Sequence, residues 1–548
     1  MKNKSYPYYE TESINDLKEL IYLSAEKYSD KPAFTFERKK EVKSISYNQF
    51  KSDMFALGTA LFDLRLRGAN IAVIGENSYE WILTYFAVVN SGNIIVPLDK
   101  ELTASDIQNL LNDSGAEAIV YSDSYSDIIG NIKESDSKIN QFINMESISE
   151  LIKKGDSLIK QGEKAVVDYT IDNKAIAAII YTSGTTGISK GVMLSHFNFA
   201  CNTVAACQHV GIFGSNMLVL PIHHTFGFTA GVCAMLLKGS EIFINSSLKN
   251  VLSDLGKFKP CNMFLVPLFV ETFYKKIWSG AKEKGKEELL KKLIKISKAL
   301  LKIGIDVRRV LFKSVLKAFG GNLKLIVSGG APIDEKYIDG LRCFGINVLN
   351  GYGITECSPI VAVNRNSHYK SGSVGQVLPC CEVKISEPNE NGHGEILVKG
   401  DIVMLGYYKN EQATEDAFYG EWFKTGDIGY LDKNNFLFIS GRKKNLIILN
   451  NGKNIYPEEL EFVLLDYIPY IKEVVVYADD NVIVAELFLD IEIEPNYAER
   501  LDNDIVELNR KLAVYMNIGK VVIRDTEFPK TTTKKIKRQY NDGGSTNA

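Results

Sequence analysis

The stretch Ala175-Ile-Ala-Ala-Ile-Ile-Tyr-Thr-Ser-Gly-Thr-Thr-Gly-Ile-Ser-Lys190-Gly191 joins a short apolar run to a loop rich in glycine and hydroxyl groups. A bounded apolar run of this length is typical of a buried sheet strand. In the loop, glycines let the backbone approach an anion, hydroxyls and amides donate hydrogen bonds, and Lys190 supplies positive charge. The stretch therefore predicts a phosphate-binding loop directly after a strand.

This loop differs from the two common nucleotide-binding motifs. A Walker A loop needs a glycine where Ser189 stands and a hydroxyl where Gly191 stands, which argues against an ordinary P-loop nucleotide hydrolase. The later segment Gly351-Tyr-Gly-Ile-Thr-Glu356 lacks the third glycine of a dinucleotide fingerprint and does not open a βαβ unit. The chain is thus predicted to bind phosphate through a loop that is neither a Walker A motif nor a dinucleotide fingerprint.

The sequence around this stretch alternates between short β-rich runs and helical runs. Strands are expected at 71–74, 94–97 and 118–121, with helices at 79–90 and 106–111 between them. Such alternation predicts βαβ units and parallel sheets. After about residue 350 the sequence changes to short strands and turns, and a small α/β unit follows from about residue 445. The predicted fold class is α/β, with a large N-terminal domain of parallel sheets, a small β-rich subdomain and a small C-terminal α+β domain.

Composition narrows the function classes. The chain has 548 residues, of which 45% are hydrophobic and 24% charged, and its formal net charge of -3 gives no reason to expect nucleic acid as a partner. No charge-poor apolar run reaches the roughly 18–20 residues that a membrane span needs, and the N-terminus shows no apolar signal core. The eight cysteines form no CxxC pair, so reduced thiols and a cytoplasmic location are expected. The six histidines are scattered, which makes a zinc site unexpected.

The region 282–317 is the most basic part of the chain. It carries twelve Lys and Arg residues against four Asp and Glu, with Leu289, Leu293, Ile296, Leu300 and Ile303 on one predicted helix face. One interpretation is a helical excursion with a solvated basic face. The other is a surface helix in peripheral contact with anionic lipid.

The loop at 181–191 resembles the signature of the acyl-adenylate-forming (AMP-binding) superfamily, which includes acyl-CoA synthetases, peptide-synthetase adenylation domains and beetle luciferases. The usual proline before the lysine is replaced by Ser189, where only a small effect on binding is expected. Eight further segments resemble that family's motifs in the same order, from about residue 20 to 538: 221–227, 328–332, 350–356, 394–400 with 406–407, 422–427, 441–444, 451–458 and 529–538.

The resemblance implies an ATP and magnesium site. By position, Thr355 bonds the α-phosphate and Glu356 holds Mg²⁺, while Tyr352 stacks on adenine. Asp427 accepts the ribose hydroxyls, with Arg442 nearby. The residues implied at the β- and γ-phosphates or at the adenine edge are Thr182, Ser183, Gly184, Thr185, Thr186, Gly187 and Lys190, and Gly330 and Ala331.

Four further residues are implied in catalysis and in a domain rotation. Lys535 aligns with the lysine that bridges the acyl carboxylate and the α-phosphate, although Lys534 replaces the usual glycine before it. An isolated basic run of this kind would otherwise indicate a solvated tail or a nucleic-acid patch. His224 borders the acyl carboxylate, Lys444 is the hinge, and Gly452 lines a tunnel for coenzyme A. The implied domains are 1–443, a mobile 444–540, and a disordered tail at 541–548.

The excursion between Tyr274 and Phe319 and the closing segment Thr531-Thr-Thr-Lys-Lys-Ile-Lys537 resemble the long-chain fatty acyl-CoA synthetases. The implied reaction converts a medium- or long-chain fatty acid and ATP to acyl-AMP and pyrophosphate, and then transfers the acyl group to coenzyme A. An alternative is a fatty acyl-AMP ligase that loads a separate acyl carrier protein. A third, a non-catalytic nucleotide-binding relative, is disfavoured by Lys190, Glu356, Asp427 and Lys535.

Overall fold

The computed structural model of the chain describes residues 6–134, 139–182, 189–245, 247–448, 454–479, 482–490, 493–530, 536 and 538. The chain divides into two compact units. The first unit comprises Met1–Val383 and Val398–Phe423, and the second comprises Lys384–Leu397 and Lys424–Ala548. The β-rich segments around residues 384–397 and 424–442 thus belong to the same unit as the C-terminal region. The predicted domain boundary at 443/444 stays a prediction.

The strands are numbered in chain order over both units. Those of the first unit are β1 (Pro32–Arg38), β2 (Glu41–Ser46), β3 (Asn70–Ile74), β4 (Ile94–Pro97), β5 (Ala118–Tyr121), β6 (Gln141–Asn144), β7 (Ile176–Thr182), β8 (Lys190–Ser195), β9 (Asn216–Leu218), β10 (Ile242–Ile244), β11 (Asn262–Leu265), β12 (Leu325–Ser328), β13 (Asn347–Gly353), β14 (Ile360–Val363), β15 (Gly375–Val377), β18 (Gly406–Tyr407) and β19 (Phe418–Tyr419). The remaining strands are β16 (Cys381–Ser386), β17 (Gly394–Gly400), β20 (Trp422–Leu431), β21 (Phe436–Arg442), β22 (Ile447–Ile448), β23 (Asn454–Ile455), β24 (Ile471–Asp479), β25 (Val482–Leu489) and β26 (Lys520–Arg524).

The helices are α1 (Leu17–Tyr28), α2 (Tyr47–Asp63), α3 (Tyr79–Asn90), α4 (Ala104–Ser114), α5 (Ser126–Glu134), α6 (Ile148–Lys160), α7 (His196–His209), α8 (Thr225–Phe228), α9 (Ala234–Leu237), α10 (Val251–Phe258), α11 (Pro267–Glu283), α12 (Glu287–Lys302), α13 (Arg308–Leu311), α14 (Lys313–Lys317), α15 (Glu335–Cys343), α16 (Glu411–Ala417), α17 (Pro457–Tyr467) and α18 (Tyr497–Asn509). A π-helical turn at Thr229–Cys233 joins α8 to α9.

A seven-stranded sheet in the first unit carries the predicted phosphate-binding loop. Its order is β18-β8-β7-β4-β3-β5-β6, and β7, β4, β3, β5 and β6 run parallel. The helices between these strands begin at polar caps, such as the reciprocal Thr103–Asp106 capping box of α4. Apolar side chains of β3, β4 and β5 are buried because helices cover this sheet, which confirms the predicted parallel βαβ organisation.

A second sheet aligns the ends of three parallel strands of the first unit, two of which lead into motifs. Strands β11, β12 and β13 are parallel neighbours, and Ser328 at the end of β12 lies opposite both Leu265 and Asn350. The carboxyl ends of parallel strands meet at one edge of a sheet, where ligands bind in open α/β folds. The turn after Ser328 and the segment after Asn350 are thereby brought to the same edge.

The second unit contains β-rich and α+β parts. Strands β20 and β21 are antiparallel, while β24, β25 and β26 form a separate three-stranded sheet. Helices α17 and α18 pack on that sheet through a core that includes Leu460, Leu464, Val476 and Leu508. The predicted α/β class, with a large N-terminal sheet region and a smaller C-terminal β/α region, is confirmed. Among the described residues, no helix is both long and apolar enough to cross a bilayer.

Candidate active site

The phosphate-loop segment begins and ends on a pair of neighbouring strands. Thr182, the last residue of β7, lies directly opposite Lys190, the first residue of β8. The predicted loop residues Ser183, Gly184, Thr185, Thr186 and Gly187 lie outside the described residues. What the structure establishes is that the loop joins two adjacent antiparallel strands, so Lys190 is held next to the start of the loop.

Three motifs that are far apart in sequence meet at Tyr407. The Lys190 Nζ lies 4.9 Å from the centroid of the Tyr407 ring, a cation–π distance. The Tyr407 hydroxyl donates a hydrogen bond of 3.0 Å to Glu356 Oε1. The tyrosine reaches this place because β18 pairs with β8, with Tyr407 opposite Val192. We call this arrangement the Lys190–Tyr407–Glu356 cluster.

The Tyr407 phenol is a neutral donor in this cluster. Burial, together with the negative charge and the hydrogen bond of Glu356, raises the pKa of Tyr407 well above its ordinary value. The phenol therefore orients the carboxylate without neutralising it. Carboxylate oxygen is a hard ligand of the kind that Mg²⁺ prefers, and the donor set here fits that ion.

The residues around Glu356 are held by backbone contacts. Thr355 begins a 3₁₀ turn (Thr355–Cys357) at the end of β13, and the Met404 amide donates to the Glu356 carbonyl at 2.8 Å. A Cβ on Gly353 would lie 2.1 Å from the Pro359 carbonyl oxygen, so this position admits only glycine. The tight backbone presents Thr355 and Glu356 together at the sheet edge.

The predicted adenine-side residues follow β12 at the same edge. Gly330 has a φ of +88°, a backbone conformation that favours glycine, and Ala331 follows it. Tyr352 lies within β13, opposite Ala362 of β14. Because β12 and β13 are parallel neighbours, the turn at Gly330 and the strand bearing Tyr352 adjoin.

The histidine motif lies at the start of a buried helical segment. His224 is the N-cap of α8, and its ring centroid lies 4.2 Å from that of His223. His223 is buried, with its Nε2 3.5 Å from Asp99 Oδ1. The Phe226 ring comes to 3.3 Å from where a Cβ on Gly329 would stand, which links this motif to the β12 turn. His224 thus lies in the first unit beside the loops at the carboxyl ends of the strands.

In the second unit, Asp427 and Arg442 form an ion pair. They lie opposite each other on β20 and β21, with Arg442 Nε 2.8 Å from Asp427 Oδ1. The Asp427 side chain is 5% exposed and that of Arg442 is 42% exposed. The Thr425 hydroxyl accepts from the Asp427 amide at 3.0 Å and donates to the Ile396 carbonyl at 2.8 Å. The Arg442 contact orients the carboxylate, and the Thr425 contacts hold the backbone of Asp427.

The predicted hinge residue Lys444 lies in a 3₁₀ turn, Lys443–Asn445, directly after β21. Burial and the positive charges of Arg442 and Arg538 lower the pKa of its amine. A position at the end of a strand is where a hinge can absorb a change of backbone angles. Gly452, predicted to line the coenzyme A tunnel, lies outside the described residues.

Lys535 also lies outside the described residues, but the residues on both sides of it are anchored. Lys530 pairs with Glu473 and with Glu527, the latter at 2.8 Å. Arg538 pairs with Glu461 of α17, and Lys530 and Ile536 form an antiparallel bridge. The segment that carries Lys535 is therefore tied to the second unit at its two ends.

Two contacts of the site could not be predicted from the sequence. Tyr407 is predicted only as part of a characteristic strand, yet it connects the loop lysine to Glu356. Asp99 is not predicted at all, although it lies beside His223. Lys190 and Tyr407 lie on the paired strands β8 and β18. The Tyr407–Glu356 and Asp99–His223 contacts instead join segments that belong to, or follow, strands of two different sheets. Gly406, immediately before Tyr407, has a φ of +144°, a backbone conformation that favours glycine.

The fold and these clusters define the class of adenylate-forming enzymes, and comparisons with known proteins agree. Residues 22–408 match the AMP-binding enzyme family. The chain is 28% identical over 524 residues to the long-chain-fatty-acid–CoA ligase FadD15 of Mycobacterium tuberculosis, covering 86% of each protein. It is 29% identical over 522 residues to the 2-succinylbenzoate–CoA ligase of Listeria monocytogenes, covering 92% of this chain and 95% of that protein.

Solved structures show the same likeness. The O-succinylbenzoate coenzyme A synthetase of Bacillus subtilis in complex with AMP superposes with a TM-score of 0.72 at 25% identity, covering 94% of this chain and 96% of the other. The same enzyme with ATP and magnesium also gives a TM-score of 0.72. The chain belongs to the AMP-binding enzyme family, and its class within that family is that of the adenylate-forming CoA ligases.

Proposed function

We propose that this chain is an AMP-forming fatty acyl-CoA synthetase that activates a medium- or long-chain fatty acid with ATP. The single observation that carries the adenylation step is the Lys190–Tyr407–Glu356 cluster, because it brings a cation and a carboxylate from separate motifs to the end of the phosphate loop. The fatty-acid assignment is supported by the FadD15 relative and by a long-chain-fatty-acid–CoA ligase of Salmonella typhimurium, which is 26% identical over 581 residues.

The first step makes a poor electrophile reactive. A carboxylate would have to expel oxide on attack by a thiol, whereas an acyl-AMP anhydride expels AMP. The acid oxygen attacks the α-phosphorus of ATP, the bond to pyrophosphate breaks, and pyrophosphate leaves. Such an in-line displacement depends on charge stabilisation and alignment more than on a general base.

On this proposal the first-unit residues bind the triphosphate. Lys190 and Thr182, with the loop residues Ser183, Gly184, Thr185, Thr186 and Gly187, hold the β- and γ-phosphates. Thr355 bonds the α-phosphate and Glu356 binds magnesium, with Tyr407 fixing the carboxylate. Magnesium supplies neutralisation of phosphate charge when bound. Tyr352, Gly330 and Ala331 contact the adenine, and His224 borders the acyl carboxylate.

The second-unit residues have proposed roles that follow from the same resemblance. The Asp427 carboxylate, held by Arg442, accepts hydrogen bonds from the ribose hydroxyls. Lys535 bridges the acyl carboxylate and the α-phosphate during adenylation. An anion contact made in the transition state contributes about 100- to 1000-fold in rate, so the loss of Lys535 abolishes nearly all adenylation.

The second step uses coenzyme A. After a rotation about Lys444, residues near Gly452 line the path of the pantetheine thiol, which attacks the acyl carbon and releases AMP. A proline at a hinge restricts the backbone rotation. We therefore expect Lys444→Pro to spare single-turnover acyl-AMP formation and to slow thioester formation, and equal loss of both steps would contradict the role.

A second candidate substrate is an aromatic dicarboxylic acid of the succinylbenzoate type. The observation that favours it is the Listeria monocytogenes relative, whose identity is similar to that of FadD15 over a larger share of both chains. On this alternative the adenylation chemistry is the same. The residues around the acyl group then bind an aromatic dicarboxylic acid instead of a fatty acyl chain.

The test is pyrophosphate release by the purified protein with ATP and magnesium over a panel of acids from acetate to oleate, plus 2-succinylbenzoate, with and without coenzyme A. Turnover of C10–C18 acids that requires coenzyme A is the expected result. Preference for 2-succinylbenzoate would overturn the fatty-acid assignment. Adenylation indifferent to coenzyme A would instead indicate a separate acyl carrier protein as the acceptor.

A further inference from the structure

Helix α12 has one broad apolar face, of which the inner side is buried and the outer side is exposed. On the inner side, Leu290 belongs to the first unit's hydrophobic core, and Leu293 and Ile294 pack against that core. On the outer side, Leu289 and Ile296 are each 52% exposed, and Ile303 at the C-cap is 71% exposed. Packing of the protein core accounts for the inner side but not for the outer one.

The exposed residues form a continuous stripe. Leu289, Ile296 and Ile303 are seven residues apart, and seven residues turn a helix by only about 20° less than two full turns. They therefore lie one above another, about 10 Å apart along the axis. Ile305 and Val310, which follow the helix, are 49% and 77% exposed. Single exposed apolar side chains are ordinary on a protein surface, whereas a clustered set marks an interaction site.

Lysines border this stripe. Lys292 is three residues after Leu289 and four before Ile296, so it neighbours both on the helix surface. Lys295 and Lys302 are also exposed, on the adjoining side of the helix. Charge and apolar surface are thus combined on the outside of α12.

Two other basic residues of the region form contacts within the protein. The Arg309 guanidinium donates to the carbonyls of Gly321, Leu323 and Gly345 at 2.8–3.1 Å. Lys291 pairs with Glu287 and Glu288, each at 2.9 Å. Lys291 and Arg309 therefore form contacts within the protein, whereas Lys292, Lys295 and Lys302 are exposed on the side of α12 next to the stripe.

We propose that the outer side of α12 is a membrane-docking surface that binds an anionic lipid bilayer. The stripe of Leu289, Ile296 and Ile303 enters the boundary between headgroups and acyl chains, while Lys292, Lys295 and Lys302 pair with lipid phosphates. Nucleic acid would explain the lysines but not the apolar stripe. Docking goes beyond the proposed function. Only its role in supplying substrate rests on that function, because it requires a long-chain acid that partitions into membranes.

The test is co-sedimentation of the full chain with vesicles of phosphatidylcholine, alone or with about 30% phosphatidylglycerol, at about 0.1 M and 0.5 M salt. We expect binding to the anionic vesicles that weakens at high salt. The combined variant Lys292→Glu, Lys295→Glu, Lys302→Glu should lose at least about 100-fold in partition coefficient, since each surface lysine contributes about 1 kcal/mol. The variant Leu289→Gln, Ile296→Gln, Ile303→Gln should lose about 10- to 100-fold.

A matched control has the same change of charge on other elements: Lys153→Glu, Lys164→Glu, Lys174→Glu, all of which replace exposed lysines. This control should bind vesicles as the unaltered chain does. Absence of binding to anionic vesicles, an equal loss in the control, or full binding by the glutamine variant would each overturn the proposal. Turnover of decanoate without vesicles should be unchanged in all three variants. Vesicle binding therefore tests docking, whereas decanoate turnover tests the fatty-acid assignment independently.

Discussion

Glu356 in the first unit and Asp427 in the second are both carboxylates on motif-bearing segments, but their surroundings differ. Glu356 accepts a hydrogen bond from the neutral Tyr407 phenol at 3.0 Å. Asp427 is almost fully buried and lies 2.8 Å from the Arg442 guanidinium. The first carboxylate is oriented by a group without charge, and the second is neutralised by a cation that remains half exposed.

This difference separates two kinds of ligand. A carboxylate whose charge is not compensated attracts a divalent cation, because attraction between opposite charges is strong at short range. A carboxylate already paired with arginine keeps its capacity to accept hydrogen bonds and suits neutral hydroxyls, as on a ribose. We therefore expect magnesium at Glu356 and ribose hydroxyls at Asp427, and variants of the two residues test this expectation.

The largest effect is expected for Glu356→Gln, which removes the charge but keeps the shape. We expect adenylation to fall about 100- to 1000-fold, since an electrostatic contact in the transition state is lost. The measurement is single-turnover acyl-AMP formation, and raising the magnesium concentration should recover part of the rate. The control is Glu421→Gln, an exposed residue paired with Lys399. A loss of less than about 3-fold would contradict a direct role for Glu356.

A smaller effect is expected for Asp427→Asn. The amide can still accept one hydrogen bond, but it loses the charge-assisted contacts, which are worth about 1.5–3 kcal/mol, so kcat/KM for ATP should fall about 10- to 100-fold. Magnesium should not recover this loss, unlike that of Glu356→Gln. Asp479→Asn, which alters an exposed pair with Lys520, is the control. Recovery by magnesium would contradict the proposal that Glu356 binds magnesium and Asp427 binds the ribose.

The smallest effect is expected for Tyr407→Phe, which keeps the ring beside Lys190 and removes the hydroxyl from Glu356. Loss of one hydrogen bond to a carboxylate should lower adenylation about 10-fold. Tyr407→Leu removes the ring as well and should cost about 5-fold more, since a partly buried cation–π contact is worth about 1 kcal/mol. Equal adenylation rates for the two variants would show that the contact between Lys190 and the Tyr407 ring does not contribute to adenylation.

The pH dependence of the same variant tests the neutral state of the phenol. Burial and Glu356 raise the pKa of Tyr407, so its proton is retained at pH values where an ordinary tyrosine ionises, near 10. The ratio of the wild-type rate to the Tyr407→Phe rate should therefore stay constant from about pH 7 to 10. A ratio that falls towards one as the pH approaches 10 would show an ordinary phenol.

Local pattern predicted many individual elements well. Strand β4 (Ile94–Pro97) and helix α3 (Tyr79–Asn90) have the predicted bounds, because a β-branched run and helical periodicity are local properties. The strand at β7 and the change to strands and turns after residue 350 are also found. For region 282–317, both interpretations depended on which face of α12 is buried, and helical periodicity alone cannot decide that. Only the packing of α12 on the core shows which of its apolar residues remain exposed.

The amino-acid sequence by itself determined the family, the order of the motifs and the identity of the groups that carry charge, because these depend on residue types and spacing along the chain. Only the tertiary structure decided that Tyr407 joins Lys190 to Glu356 and that Asp99 lies beside His223. It also decided that the carboxylate of Asp427 is paired while that of Glu356 is not neutralised by its phenol. The physical reason is that these contacts depend on which strands pair and on how segments of different sheets pack against each other. Both are set by packing between segments that are distant in sequence.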